Sequence, residues 1–149
     1  MNTINLGCGT DIRPNMINLD REAHSPGIDM AWDLNQIPYP LPNNHFDKVL
    51  LLSVIEHLIP TPLETLDEIW RITRPYGVLV LKFPLASSPT IHDDLTHRWF
   101  LSLKAFDVLD PRTERGQQYH FYTAKKWHIL DRKTHKNMSA WLTMRKVLL

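Results

Sequence analysis

The stretch Asn5-Leu6-Gly7-Cys8-Gly9-Thr10 decides how the rest of the chain is read. Ile4, Asn5 and Leu6 suit a buried strand, and the glycines behind them allow a sharp bend with backbone open to a close ligand. A strand running into Gly-x-Gly is how open α/β sheets hold an adenosine-type cofactor beyond the carboxyl ends of their strands. No third glycine and no phosphate-loop lysine follow, so neither a dinucleotide fingerprint nor a triphosphate cradle is written here. A tight turn after an edge strand is the plain alternative.

Outward from that bend, Met16-Ile17-Asn18-Leu19-Asp20 predicts a second strand ending in a carboxylate. Such a carboxylate suits the two hydroxyls of a ribose, while a cap or loop residue is the bland reading of Asp20. The intervening Thr10–Asn15 is too short and too rich in turn formers for a helix of normal length. Extended, it reaches roughly 20 Å, enough to pass a short strand and one strand spacing, so a crossover without a helix is feasible.

Ala31-Trp32-Asp33-Leu34 predicts a short third strand with a second terminal carboxylate, and the prolines of 37–44 exclude helix and central strand. Phe46–Leu52 is a nearly continuous apolar run of the kind buried on both faces. From Thr61 or Pro62, the spacing of Leu63, Leu66, Ile69 and Trp70 predicts an amphipathic helix, closed by Pro75-Tyr76-Gly77. Val78–Phe83 predicts a strand, Ser87–Trp99 a polar loop and Ser102–Leu109 a short helix. Tyr119–Tyr122, Trp127–Asp131 and Ser139–Val147 read as strands, the last two as a hairpin around 134–137.

The totals bound the class. The 149 residues suit one domain over 1–149, and 43% hydrophobic with 22% charged residues is ordinary for a soluble globular chain. No apolar run approaches the roughly 18 residues of a membrane span and no leader pattern is visible, so a soluble, cytoplasmic protein is expected. Cys8 is the one cysteine, which excludes an intramolecular disulfide and a thiolate zinc cluster and leaves a small filler in the glycine turn. Charge is uneven: residues 1–111 carry 8 Lys+Arg against 14 Asp+Glu, and 112–149 carry 9 against 2. A basic tail can attract nucleic acid, but the solvated face of a terminal element is the commoner case.

In order, the chain reads Leu-Gly-Cys-Gly-Thr (6–10), Asn-Leu-Asp (18–20), Trp-Asp-Leu (32–34), Leu-Pro-Asn-Asn-His-Phe-Asp-Lys-Val (41–49), Val-Ile-Glu-His-Leu (54–58) and Glu-Ile-Trp-Arg-Ile-Thr-Arg-Pro-Tyr-Gly-Val-Leu (68–79). This succession resembles the class I S-adenosylmethionine-dependent methyltransferases, especially short ones whose glycine loop runs almost directly into the second strand. The resemblance covers roughly residues 4–100. It implies a Rossmann-like, mostly parallel twisted α/β sheet, to which the strand pattern adds a C-terminal antiparallel hairpin; the chain departs from the family in that helices are missing from its N-terminal part. It further implies that Leu6, Gly7, Cys8 and Gly9 pass under the methionine and ribose of the cofactor. Asp20 would hold the ribose hydroxyls, Asp33 the adenine amino group with Leu34 against the ring, and Ser53 with Val54 the far side.

Such chemistry needs a bound S-adenosylmethionine, exclusion of water and a base where the acceptor must lose a proton. His57 is the best placed base candidate, its plain alternative being a helix-start histidine bonded to backbone. His92-Asp93-Asp94-Leu95-Thr96-His97-Arg98-Trp99 is dense enough to bind a metal, yet the resemblance favours a lid over the acceptor site, so no metal is expected and His97 becomes the second base candidate.

Helices at 61–73 and 102–109 would lie on one side of strands that are apolar on both, so a second copy in a symmetric dimer is expected to cover the other face, or else Met30–Asn44 folds across it. The leading expectation is methyl transfer to a small-molecule acceptor, and its rival is a catalytically silent cofactor-binding subunit that acts by pairing. Nucleic acid is the less favoured acceptor, because no Asn-Pro-Pro-Tyr or Asp-Pro-Pro-Tyr tetrapeptide follows the fourth strand.

Overall fold

The computed structural model describes residues 1–149. Its seven strands are β1 (Thr3–Leu6), β2 (Ile17–Asp20), β3 (Met30–Ala31), β4 (Phe46–Leu52), β5 (Thr73–Pro84), β6 (Lys126–Thr134) and β7 (Ser139–Val147). They form one sheet in the order β3-β2-β1-β4-β5-β7-β6, parallel from β3 to β5, with β7 antiparallel to both β5 and β6. The expected mixed α/β sheet with a terminal hairpin is therefore present. β1 and β4 sit at its centre and end on the same edge.

The sheet has one closed face. Ile4, Leu6, Leu19, Val49, Leu51, Leu79, Leu81, Phe83, Leu142 and Met144 point into a single apolar core. Helix α1 (Pro62–Ile72) and the 3-10 helix Leu103–Leu109 supply Leu66, Ile69, Phe106 and Leu109 to it. Both helices lie on the side that the apolar spacing predicts. Leu34, Tyr39 and Leu41 join the same core, and Tyr39 N–H donates to Glu68 of α1 at 2.7 Å. The 30–44 segment thus closes the helical face, which corrects the alternative in which it covers the opposite one.

On that opposite face the connection from β1 to β2 crosses without a helix, as its length allows. Two buried amides pin it: Asn5 Nδ2 donates to Asp11 O at 2.8 Å, and Asn18 Nδ2 to Arg13 O at 2.9 Å. Asn18 Oδ1 in turn accepts from Arg13 N–H at 3.0 Å. Farther along, Leu52, Val78, Val80 and Thr143 stay partly open to solvent and no helix lies over them.

Helix α1 begins as expected, with Pro62 in its first turn and a reciprocal capping box between Thr61 and Glu64. Its end is the correction. Instead of a loop at Pro75-Tyr76-Gly77, Thr73 enters β5 at once, and each of the last carbonyls finds a partner. Ile69 O accepts from Thr73 Oγ1 at 2.7 Å, Trp70 O from Lys146 Nζ at 2.8 Å, Arg71 O from Asn44 N–H at 2.8 Å and Ile72 O from His45 N–H at 2.8 Å. Gly77 instead lies where β5 shifts register against β4, and a Cβ there would stand 2.9 Å from Phe46 O.

Two further boundaries differ from expectation. β3 is Met30–Ala31, and Trp32–Leu34 continue as loop. Tyr119–Tyr122 is not a strand: it follows a short helix α2 (Glu114–Gln118) as a 3-10 turn, and its aromatic residues are stacked on one another rather than paired across a sheet. The basic tail is divided between the core and the surface, where Arg112, Arg132, Lys133, Lys136 and Arg145 are exposed. Lys146 and Lys126 are buried, Arg112 pairs with Asp110, and Arg132 with Asp107. No helix is long and apolar enough to cross a membrane.

Candidate functional site

The site forms where β1, β2 and β4 end together. Gly7 turns the chain with φ 67, its N–H donating to Leu19 O at 2.8 Å, and Gly9 continues the bend with φ 54. A Cβ on Gly7 would stand 2.6 Å from Cγ2 of Val54, so the glycine loop and the end of β4 approach as closely as two backbones with one side chain allow. Ser53, the residue after β4, is itself left-handed with φ 59, an unusual conformation for a residue with a side chain and one met at functional turns.

Around this bend lies a cavity of about 390 Å³ lined by Gly7, Asp20, Asp33, Leu34, Ser53, Val54, His57 and Thr96 among others. Six of the nine residues expected to touch a cofactor therefore share one cavity. Leu6, Cys8 and Gly9 are not among its lining residues: Leu6 is fully buried in the core, and a Cβ on Gly9 would meet open space. Asp20 is oriented from behind, Gly9 N–H donating to Oδ2 at 2.6 Å and Arg21 N–H to Oδ1 at 2.7 Å. Since a carboxylate offers about four acceptor positions, the cavity side remains available. Asp33 is held likewise by Asn35 N–H at 2.9 Å. The Cys8 thiol is buried and its pKa raised, first by that burial and then by Asp20, so it stays protonated and serves as filler.

Next to it a second cavity of about 350 Å³ is lined by Ser53, Glu56, His57, Lys82, Asp94 and His97 with others. The two cavities share Ser53 and His57. The 91–99 segment closes over this junction because it is sewn to the turn after β4. Arg98 N–H donates to Glu56 O at 2.7 Å, and Trp99 Nε1 to Leu58 O at 2.6 Å.

Both expected histidines meet there, with ring centroids 4.8 Å apart. His57 Nδ1 lies 2.8 Å from Thr96 Oγ1, whose own proton goes to Asp94 at 2.6 Å, so the histidine is the donor. His97 Nδ1 lies 2.6 Å from Ile91 O, which can only accept. Both rings thus spend Nδ1 on these contacts and keep Nε2 for the site, where neutral His57 carries a lone pair. Burial, then His97, pulls the pKa of His57 below its ordinary value, so it is neutral near pH 7. Asp94 and Thr96 belong to the 92–99 cluster that the sequence singles out, whereas Glu56 and Lys82 escape sequence reasoning because their relevance depends on contacts made far along the chain. Glu56 is 2% exposed, and burial raises its pKa to about 7.

A family model described as a methyltransferase domain matches residues 5–81, just over half of the chain. The chain belongs to this methyltransferase family. S-adenosylmethionine is the cofactor that this membership indicates, and the residues present fit it: in one cavity stand a carboxylate at the end of β2, a second in the loop after β3 with the apolar Leu34 next in sequence, and a glycine bend that a side chain would obstruct. Solved methyltransferases share the fold across nearly the whole domain. A chain of the complex between the Haloferax volcanii Trm112 methyltransferase activator and a methyltransferase superposes with a TM-score of 0.70 at 11% identity, covering 99% of this chain and 83% of that one. A SAM-dependent methyltransferase from Thermotoga maritima gives 0.68 at 14%, covering 97% and 82%. The 1,6-didemethyltoxoflavin-N1-methyltransferase of Burkholderia thailandensis, solved with S-adenosylhomocysteine, gives 0.66 at 14%, covering 98% and 71%. A comparison with curated protein sequences finds no match.

Proposed function

We propose that this domain is a cytosolic methyltransferase acting on a small molecule. The observation that carries the reading is the pair of adjoining cavities with Ser53 and His57 as their common wall. In the larger, Asp20 takes the ribose hydroxyls, Asp33 with Leu34 the adenine, Ser53 and Val54 the far side, and the backbone of Gly7 the methionine end, with Leu6, Cys8 and Gly9 shaping the bend behind it. The bound cofactor supplies an electrophilic methyl group on a sulfonium. The smaller cavity holds the acceptor, with Lys82 on its wall. His57 and His97 engage the acceptor's hydroxyl or amine and take its proton at Nε2. His57, held neutral by burial, offers its lone pair there, as a base must.

The test is calorimetric titration with S-adenosylmethionine and S-adenosylhomocysteine. Micromolar binding of both is expected, and Asp20→Ala should weaken it by about 1 to 3 kcal/mol through an unpaired ribose edge without unfolding the domain. Unchanged affinity in that variant would remove Asp20 from the site. If neither ligand binds, the rival reading of a silent subunit takes over. The uncovered stretch at Leu52, Val78 and Val80 supports a second copy of the chain as its cover. Sedimentation at micromolar concentration should give a dimer, and a monodisperse monomer would count against it.

A further inference from the structure

We propose that Glu56, His57 and His97 bind one divalent cation of the zinc class, placed to engage an oxygen of the acceptor. One ligand atom from each side chain can be chosen so that all three lie within 4.8 Å of one another. His57 Nε2 stands 3.6 Å from Glu56 Oε1. That is too long for a hydrogen bond but close to the roughly 3.4 Å separating two ligands that each sit about 2.1 Å from a tetrahedral ion.

Both rings are prepared in the manner of metal ligands. A ligating imidazole usually donates its other N–H to a carbonyl, carboxylate or hydroxyl that fixes its tautomer. His97 does so to Ile91 O, and His57 to Thr96 Oγ1, which is held by Asp94. The independent observation is Glu56. Its side chain is 3% exposed, and Oε2 is buried with no hydrogen-bond partner at all. A buried carboxylate without a donor is costly, and an ion bound through Oε1, the oxygen nearer His57, would offset its charge. Asp94 Oδ2, 3.6 Å from His97 Nε2, stands ready as a fourth ligand or as the partner of a bound water.

Two imidazoles and one carboxylate form a donor set that takes zinc and related divalent ions and leaves positions open. Here the open side faces the acceptor cavity and the His57 wall of its neighbour. The inference rests on the methyltransferase reading for the acceptor and revises its assignment of the base. It selects acceptors with an oxygen donor, a hydroxyl, diol or carboxylate, and makes the two histidines ligands rather than free bases. Cation binding itself does not depend on that reading.

The test titrates the chelator-treated full chain with Co²⁺, followed by its visible absorption, and then displaces it with Zn²⁺. One cobalt per chain is expected, with d–d bands of reduced-symmetry coordination that zinc abolishes. His97→Ala and the isosteric Glu56→Gln should each weaken binding by more than about tenfold, since even outer-shell partners cost that much. Asp20→Ala should leave cobalt binding unchanged while it loses S-adenosylhomocysteine. Uptake that does not saturate, or that is equal in wild type and both variants, overturns the cation site. Cobalt binding without any cofactor binding would sink the methyltransferase reading and spare the ion.

Discussion

Lys146→Met is expected to lower the unfolding free energy by about 3 kcal/mol. The lysine is 0% exposed, and its Nζ donates to Asn44 Oδ1 at 2.7 Å, Trp70 O at 2.8 Å and Thr73 O at 2.7 Å. It also stands 3.7 Å from the centre of the Trp70 ring. One ammonium from β7 thus joins the loop before β4, the end of α1 and the start of β5. Methionine keeps the volume but leaves three acceptors without their donor, at about 1 kcal/mol or more each. For a domain of this size the melting midpoint should fall by roughly 6 to 12 °C. Lys146→Arg should recover little, because a planar fork cannot address three oxygens grouped around a point charge. Thermal and urea unfolding decide the matter: an unaltered midpoint in Lys146→Met would mean that the three bonds contribute nothing net.

Gly7→Ala is expected to weaken S-adenosylhomocysteine binding by roughly 30-fold, about 2 kcal/mol. Two costs combine. A side chain at φ 67 is strained by about 1 kcal/mol or more, and its Cβ would meet Val54 Cγ2 at 2.6 Å, so the loop or Val54 must move where both border the cavity. The double variant Gly7→Ala/Val54→Ala removes the collision and keeps the strain. Calorimetry should therefore find it between the wild type and the single variant. Equal affinity in Gly7→Ala and wild type would exclude the bend from the cofactor's path.

The legible parts of this chain are those whose logic is local. Strand β1, the glycine bend and the carboxylates Asp20 and Asp33 lie in one short run, and the cap of α1 is spelled by Thr61, Pro62 and Glu64. What escapes sequence reading is assembled across distance. α1 stops before Thr73 because Asn44, His45 and Lys146 supply donors to its end, and no residue at the junction itself announces them. The aromatic run 119–122 satisfies strand propensity yet folds as a 3-10 turn, with its rings in tilted and edge-on contact. Glu56 carries no signal of its own in the sequence, and only the 91–99 segment brings His97 beside it.

The common wall of the two cavities has a bearing on inhibitor design. A molecule carrying an adenosine-like group and an oxygen-rich group on a short tether past Ser53 and His57 would meet the second cavity as an intramolecular event. Its second half would then bind at an effective concentration on the order of millimolar, so two weak fragments joined across this wall should act as one strong ligand.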